Sequence, residues 1–374
     1  MSIHLTAGQL VEALTLRDLS NPSQGVHAMQ LLLDDIQHAI ETLCDCELQR
    51  LSGHPLVRVQ DNYDALGYPE DGPARESRYS RYLSRRWMLR TQTSCLVPEW
   101  LSSWRDKTPR RLGLLCSGRV YRRDSIDRLH VGEPHQVDVW VLLPVSEVTD
   151  LQTMLRDAID TVMAAILPEH PLRLEASSHP YTRDGLQLEA LSERNQLVEV
   201  GECGRIDPAL LARHGWDPDK VTGVAMGLGL DRLLMLRKHL PDIRLLHHSD
   251  HRIVAQMQDL KRWRPVSYQP AIIRDLSIAA ESDMDSEVLG DRVREAIPEK
   301  LDWLEAIEIV SETAGDDLPA VAVDRLGLKS GQKNVLLRLT MRHPTRSIGR
   351  DEANALRNRV YQVLHQGSVT VLAQ

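Results

Sequence analysis

Two arginines give the strongest chemical signal in this 374-residue chain, because each follows apolar sequence and stands at a turn. Arg122 lies in the segment 118–124 (GRVYRRD), and Arg232 ends the segment 223–232 (GVAMGLGLDR). A guanidinium group keeps its proton and pairs two oxygens at once, so it suits a polyanion whose charge rises during a reaction. The glycines before Arg232 let a backbone approach such a ligand closely. The two segments therefore predict an ATP site at which pyrophosphate leaves as a carboxylate is activated.

Two other nucleotide motifs are excluded. A dinucleotide fingerprint needs a third glycine after Gly227 and Gly229, and Arg232 stands at that position inside a helical pattern. The phosphate loop that ends in Gly-Lys-Ser or Gly-Lys-Thr is absent from the sequence.

Several motifs between and around these arginines resemble the class II aminoacyl-tRNA synthetases of the phenylalanyl type. The segment 118–124, the loop that follows it and the segment 134–138 (PHQVD) resemble motif 2. The segment 223–232 resembles motif 3, and segments 198–204 (VEVGECG) and 90–94 (RTQTS) match as well. The likeness extends over residues 27–374, and the order of the motifs makes it specific. It implies an α+β fold with an antiparallel sheet flanked by helices.

The resemblance also implies a role for each residue at a matching family position. The catalytic arginines Arg122 and Arg232 would hold the α-phosphate and the γ end of ATP, and the ATP site would comprise Arg122, Asp124, His130, Pro134, Gly229 and Arg232. The amino-acid site would comprise Gln92, Ser94, Gln136, Asp138, His179, Tyr181, Ala225 and Met226. Mg²⁺ would be held by Glu189 or Glu199.

The last hundred residues alternate as a second module. Strand patterns cover 272–279, 304–310, 335–341 and 369–372, and helical stripes cover 286–297 and the region around 356–364. The order βαββαβ predicts a ferredoxin-like fold that resembles the anticodon-binding domain of the same family. Residues 325–359 carry nine basic and two acidic residues, which favours tRNA as partner, with contacts from Arg338, Arg342 and Arg346. Gly349 replaces the hydroxyl residue that usually caps the second helix, and glycine is an acceptable cap.

These patterns predict four segments: an N-terminal extension (1–25), a catalytic domain (26–258), a linker (259–269) and an anticodon-binding domain (270–374). Apolar residues at helical spacing predict the motif 1 helix over 27–46. Because motif 1, the usual dimer seam, is weakly preserved, and the layout resembles the single-chain organellar form, we expect a monomer rather than a homodimer.

Composition narrows the setting. No apolar run is long enough to cross a bilayer and no signal peptide begins the chain, so we expect a cytoplasmic protein without a membrane partner. Five scattered cysteines imply neither disulfides nor zinc.

The chain contains no phenylalanine, although about ten would be usual at this length. Where the family has a Phe-Pro-Phe clamp for the substrate ring, this chain has His179-Pro180-Tyr181. Met226 and Met341 also occupy aromatic positions of the family. Because the loss extends beyond the pocket, we attribute it first to removal by selection or design, and second to a pocket respecified for a hydroxylated or otherwise modified ring.

The sequence thus predicts an ATP-dependent ligase that charges tRNA with an aromatic amino acid, phenylalanine or a close analogue. Two alternatives stay open at this stage. One is a paralogue that activates a modified aromatic amino acid for a biosynthetic acceptor, and the other is a non-catalytic RNA-binding descendant.

Overall fold

The computed structural model describes residues 4–105, 111–266, 269–343 and 345–370. Its helices are α1 (Ala7–Thr15), α2 (Ala28–Cys44), α3 (Val59–Asn62), α4 (Val97–Trp104), α5 (Leu151–Ile166), α6 (Pro208–Arg213), α7 (Leu230–Arg237), α8 (His251–Gln256), α9 (Ser286–Ala296), α10 (Ala320–Leu326) and α11 (Arg350–Leu364). Its strands are β1 (Leu48–Leu51), β2 (Leu56–Arg58), β3 (Trp87–Leu89), β4 (Leu112–Arg119), β5 (His135–Pro144), β6 (Leu172–Ser177), β7 (Thr182–Leu191), β8 (Leu197–Ile206), β9 (Val221–Gly229), β10 (Ile272–Glu281), β11 (Leu304–Ala314) and β12 (Gln332–Met341).

The chain divides into two units. The first comprises Met1–Arg122, Glu133–Leu240 and Ala255–Trp263, and the second comprises Arg123–Gly132, Pro241–Val254 and Arg264–Gln374. The four segments expected from the sequence stay a prediction. Among the described residues, no helix has the length and apolar character needed to cross a membrane.

A seven-stranded sheet forms the centre of the first unit, in the order β1-β4-β5-β9-β8-β7-β6. Only β1 and β4 run parallel; the other neighbouring pairs are antiparallel. The middle strand β5 is buried at nearly every position, because side chains cover both of its faces. The structure confirms the predicted α+β class with a sheet that is antiparallel except at one edge.

The predicted motif 1 helix is α2, which is slightly shorter than expected. Its apolar stripe is buried at Leu32, Ile36 and Ala39, and the helix packs against α5. It ends at Cys44, and the next residue, Asp45, adopts a left-handed conformation with φ of 47°. The sequence predicted no element before it, yet α1 forms there, because the side chain of Thr6 accepts a hydrogen bond from the backbone of Gln9 and caps the helix.

The second unit contains a three-stranded antiparallel sheet in the order β10-β12-β11, with α9 and α11. Five of the six predicted elements form, and their apolar side chains share one core, which includes Val293, Leu337 and Leu356. The sixth, the strand predicted over 369–372, does not form at residues 369–370, and its other residues lie outside the described part of the chain. Glu352 accepts a hydrogen bond of 2.8 Å from the backbone N–H of Gly349, which stabilises the start of α11 without a capping hydroxyl.

Candidate active site

The register of three central strands, β4, β5 and β9, defines one face of the first unit's sheet. Gln136 on β5 lies opposite Gly118 on β4 and Gly229 on β9, and Asp138 lies opposite Cys116 and Gly227. Because side chains alternate along a strand, Gln136, Asp138 and Trp140 share this face. A methyl group built on Gly227 would lie 3.2 Å from the Asp138 carboxylate. The glycine therefore leaves room beside that carboxylate.

Arg122 reaches this face from the end of β4. Its Nε donates a hydrogen bond of 2.8 Å to the carbonyl oxygen of Thr91, and its Nη2 lies 3.5 Å from Oε1 of Gln136. These contacts direct the guanidinium toward the first residues of β5. Nη1 has no hydrogen-bond partner in the described part of the chain, so it can donate to an anion.

Arg232 lies in the first turn of α7, directly after β9. It donates a hydrogen bond of 3.0 Å to the carbonyl oxygen of Glu199 and lies 3.8 Å from the carboxylate of the same residue. Gly229, three residues before it, is the register partner of Gln136, which Arg122 contacts. The structure thus brings both predicted catalytic arginines to the same end of the sheet.

Asp138 is a buried carboxylate, 1% exposed, that is held by hydroxyl groups. Thr93 donates a hydrogen bond to Oδ2, and Ser94 donates one of 2.8 Å to Oδ1. Burial raises the pKa of Asp138 to about 6, although both hydroxyls and the charge of Arg122 act to lower it. Among the described residues, no cation lies within ion-pair distance of this carboxylate. The site can therefore take up a positive charge.

Aromatic rings surround the far side of this carboxylate. The ring centroid of Tyr181 lies 4.2 Å from that of His179 and 5.3 Å from that of Trp140. Tyr68 meets His179 edge to face at 5.6 Å. Ala225 on β9 lies opposite Trp140 and provides a small residue in the same layer. This arrangement suits an aromatic side chain.

Hydrogen bonds connect the rings to the polar end. The hydroxyl groups of Tyr181 and Ser94 are 3.0 Å apart, and Tyr68 donates a hydrogen bond of 2.7 Å to Oε1 of Gln92. Gln92 in turn donates one of 2.8 Å to the carbonyl oxygen of Asn62. The predicted residues Gln92, Ser94, Gln136, Asp138, His179, Tyr181 and Ala225 thus lie around one space.

Met226 does not join them. Its register partners are Val139 on β5 and Cys203 on β8, so its side chain belongs to the opposite face of the sheet and is buried there. It lies between Ala225 and Gly227 in sequence, and the alternation of a strand turns it away from Asp138.

Four contributors were not predicted from the sequence. Thr93 and Trp140 had a signal, because one adjoins Ser94 and the other lies two residues beyond Asp138 on the same strand. Asn62 had a weaker signal, because it begins the segment 62–66 (NYDAL), which also resembles the family. Tyr68 had none, since the chain reaches the site there from a region without regular spacing.

Glu189 and Glu199, the predicted magnesium ligands, are register partners on β7 and β8. Glu189 accepts a hydrogen bond of 2.8 Å from Arg173, and Glu199 pairs with Arg232. Two carboxylates on neighbouring strands supply the oxygen ligands that Mg²⁺ prefers, so the donor set fits. Pro134 precedes β5, and its carbonyl oxygen accepts a hydrogen bond of 2.8 Å from Val120.

The other predicted residues belong to the second unit. Asp124 accepts a hydrogen bond of 2.9 Å from Ser125, and His130 lies 2.7 Å from the carboxylate of Asp127. The three predicted tRNA contacts are all in ion pairs: Arg338 with Asp275, Arg342 with Glu305, and Arg346 with Glu352.

Comparison with known proteins agrees with this geometry. The family model of the tRNA synthetases class II core domain (F) matches residues 14–257. The phenylalanine–tRNA ligase alpha subunit of Prochlorococcus marinus (strain NATL2A) is 38% identical over 225 residues, which is 60% of this chain and 64% of that protein. The same subunit of strain MIT 9313 is 36% identical over 52% of this chain and 56% of the relative, and that of Nostoc punctiforme is 31% identical over 65% and 70%.

This chain thus covers less than two thirds of the length of the first two relatives. The family match includes every element that positions Arg122, Asp138 and Arg232. The chain therefore belongs to the class II tRNA synthetase core family of the phenylalanyl type.

Proposed function

We propose that this protein uses ATP to activate an aromatic amino acid, phenylalanine or a ring-substituted relative, and transfers it to tRNA. The observation that carries the proposal is the buried carboxylate of Asp138, which has no ion-pair partner among the described residues and stands between Arg122 and a cluster of rings. An aromatic amino acid supplies both missing parts, an ammonium group and a ring.

Asp138 and Gln136 would bind the α-ammonium group, while Ser94 and Thr93 hold the carboxylate of Asp138 in place. The substrate carboxylate would then lie toward Arg122, whose guanidinium would neutralise the α-phosphate as the carboxylate attacks it. Arg232, at the same end of the sheet, would bind the departing pyrophosphate. These positions support in-line attack, because the substrate carboxylate and the α-phosphate would be fixed on one surface.

ATP use agrees with the family, and Mg²⁺ is part of the proposal. Glu189 and Glu199 would hold the ion, which would neutralise phosphate charge and orient the leaving group. Asp124 and His130 are proposed contacts of the nucleotide as the family resemblance implies, as are Pro134 and Gly229.

Transfer to tRNA rests on residues 264–374 of the second unit, which the family match does not cover. Arg338, Arg342 and Arg346 would exchange their carboxylate partners for phosphates, a change that costs little because all six side chains of the three pairs are partly exposed. A role in tRNA charging would place the protein in the cytoplasm, with tRNA and ATP.

The ion pairs of Arg338, Arg342 and Arg346 favour one alternative, a paralogue that passes its activated amino acid to a biosynthetic acceptor. If carboxylates keep the three arginines occupied, the activated acyl group would go to an acceptor other than tRNA. The relatives are named alpha subunits, so the proposal of a monomer needs its own test, which is the mass of the purified chain in solution.

Two assays separate these possibilities. Pyrophosphate exchange with each of the twenty amino acids should give a signal with an aromatic substrate, and its absence for all aromatic substrates would refute the proposal. Total tRNA should then become charged with that amino acid. Exchange without charging would support the alternative acceptor.

A further inference from the structure

Two polar atoms within the ring cluster are buried and have no hydrogen-bond partner among the described residues. One is Nε1 of Trp140, a residue that is 0% exposed, and the other is Nδ1 of His179. An indole N–H can only donate. Leaving such a group unpaired in a protein interior costs free energy, so each atom indicates a missing partner.

Counting protons assigns the role of His179. Tyr68 has a single O–H, which it donates to Oε1 of Gln92, and Gln92 uses its own N–H for Asn62. The oxygen of Tyr68 therefore accepts a hydrogen bond at 3.1 Å from Nε2–H of His179. Nδ1 consequently carries a lone pair and can only accept. Burial, with the charge of Arg122, lowers the pKa of His179 to about 4, which keeps this neutral form at pH 7.

Both atoms belong to rings that contact Tyr181. The ring centroid of Tyr181 is 4.2 Å from that of His179 and 5.3 Å from that of Trp140. The centroids of His179 and Trp140 are therefore no farther apart than these two distances combined. The hydroxyl of Tyr181 does not serve either atom. Ser94 donates its own proton to Asp138, so the oxygen of Ser94 accepts from Tyr181.

The strand geometry places the indole donor at a suitable distance from Asp138. Trp140 lies two residues beyond Asp138 on the same face of β5, which is about 7 Å along a strand. That spacing matches the reach of an aromatic amino acid from its ammonium group to the far edge of its ring.

We propose that Trp140 and His179 recognise a hydroxyl group on the ring of the amino-acid substrate. The indole N–H donates to the oxygen of the substrate, and the substrate O–H donates to Nδ1 of His179. A hydroxyl is the smallest substituent that both accepts and donates a hydrogen bond. This inference rests on the proposed function and narrows it from aromatic amino acids to hydroxyphenylalanines.

The test compares substrates that differ in one group. Pyrophosphate exchange is measured with phenylalanine, its ortho-, meta- and para-hydroxy derivatives, and para-methylphenylalanine, which has the size of the para-hydroxy compound without its hydrogen bonds. We expect one hydroxylated isomer to exceed phenylalanine in kcat/KM by about ten- to a hundredfold. Phenylalanine that equals or exceeds every hydroxylated isomer would overturn the inference, because water would then satisfy both atoms. That result would leave aromatic activation intact, whereas no exchange with any aromatic substrate would refute the proposed function itself.

Variants of His179 distinguish recognition from a structural role. In His179→Leu the acceptor is lost, and in His179→Gln an amide oxygen can replace it. We expect the preference for the hydroxylated isomer over phenylalanine to disappear in His179→Leu and to return in part in His179→Gln. Trp140→Leu should abolish the same preference. Equal losses for hydroxylated and unsubstituted substrates in all three variants would assign only a structural role to these residues and overturn the inference.

Discussion

Replacing Asp138 by asparagine should stabilise the free protein while it destroys amino-acid activation. The carboxylate is buried, and burial raises its pKa from 3.8 to about 6. At pH 7 it is ionised in the folded and the unfolded chain, and each unit of pKa shift corresponds to about 1.4 kcal/mol. The folded state thus loses up to about 3 kcal/mol by keeping this charge without a cation. Asparagine has nearly the same shape and removes the charge.

The sign of the pH dependence follows from the raised pKa. The unfolded chain ionises at Asp138 near pH 4, and the folded chain does so only near pH 6, so the free energy of unfolding falls as pH rises through that window. Once the pH is well above 6, Asp138 is ionised in both states and the free energy of unfolding falls no further on its account. The advantage of Asp138→Asn over the parent should therefore be small at pH 4 and reach about 1–3 kcal/mol at pH 7.5.

Urea unfolding of both proteins at pH 4, 5, 6 and 7.5 measures this difference, with tryptophan fluorescence as the signal. Activity is measured in parallel by pyrophosphate exchange. Because the ammonium group loses a buried charged partner, binding of the transition state should weaken by about 2–4 kcal/mol. The value of kcat/KM for the amino acid should therefore fall roughly thirty- to a thousandfold. An Asp138→Asn protein that is no more stable than its parent at pH 7.5, or a difference that does not change with pH, would refute the assignment of Asp138 as an unpaired buried charge.

Three further predictions follow from the same geometry. The kcat/KM of the parent should fall about tenfold per pH unit below pH 6, because Asp138 then takes up a proton. The pKa of His179 is lowered to about 4, so this residue should add no pH dependence between pH 6 and 8. A pH profile of pyrophosphate exchange checks both expectations. Arg122→Lys should lower kcat by about a hundredfold or more with little change in the amino-acid KM, because an ammonium group cannot reproduce the contacts to Thr91 and Gln136 and still face a phosphate; an unchanged kcat would exclude Arg122 from the reaction. Glu189→Gln and Glu199→Gln should each raise the Mg²⁺ concentration for half-maximal exchange, and a titration with the same requirement as the parent would exclude both as ligands.

Much of the site was predictable because its signals are local. The glycines before Arg232 are visible directly in the sequence, whereas Gln136, Asp138 and Ser94 were assigned because the short segments 134–138 and 90–94 resemble family motifs. The alternation of side chains along a strand is also readable from the sequence. The same alternation, applied strictly to β9, would have excluded Met226, whose neighbours Ala225 and Gly227 face the site. Tyr68 could not be predicted, since its contacts depend on how a segment without regular spacing packs on the sheet. The strand predicted over 369–372 does not form at 369 and 370, the two of its residues that the structure describes.

The absence of phenylalanine has different physical consequences inside and outside the pocket. Met341 is fully buried in the core of the second unit, and Met226 is buried on the opposite face of the sheet from Asp138. Flexible methionine fills such spaces well, so at these two positions it simply occupies the volume that a phenylalanine ring would fill.

The pocket positions behave otherwise. Tyr181 and His179 each form a defined hydrogen bond, to Ser94 and Tyr68, and His179 adds a buried acceptor. A replacement made only to avoid phenylalanine would be served better by methionine or leucine, which bury no polar atom and cost no desolvation. The two pocket residues therefore need a reason of their own, and a polar group on the substrate ring provides one. If His179→Met and Tyr181→Met together left the choice among ring-substituted substrates unchanged, that reason would be gone and the loss of phenylalanine alone would account for the pocket.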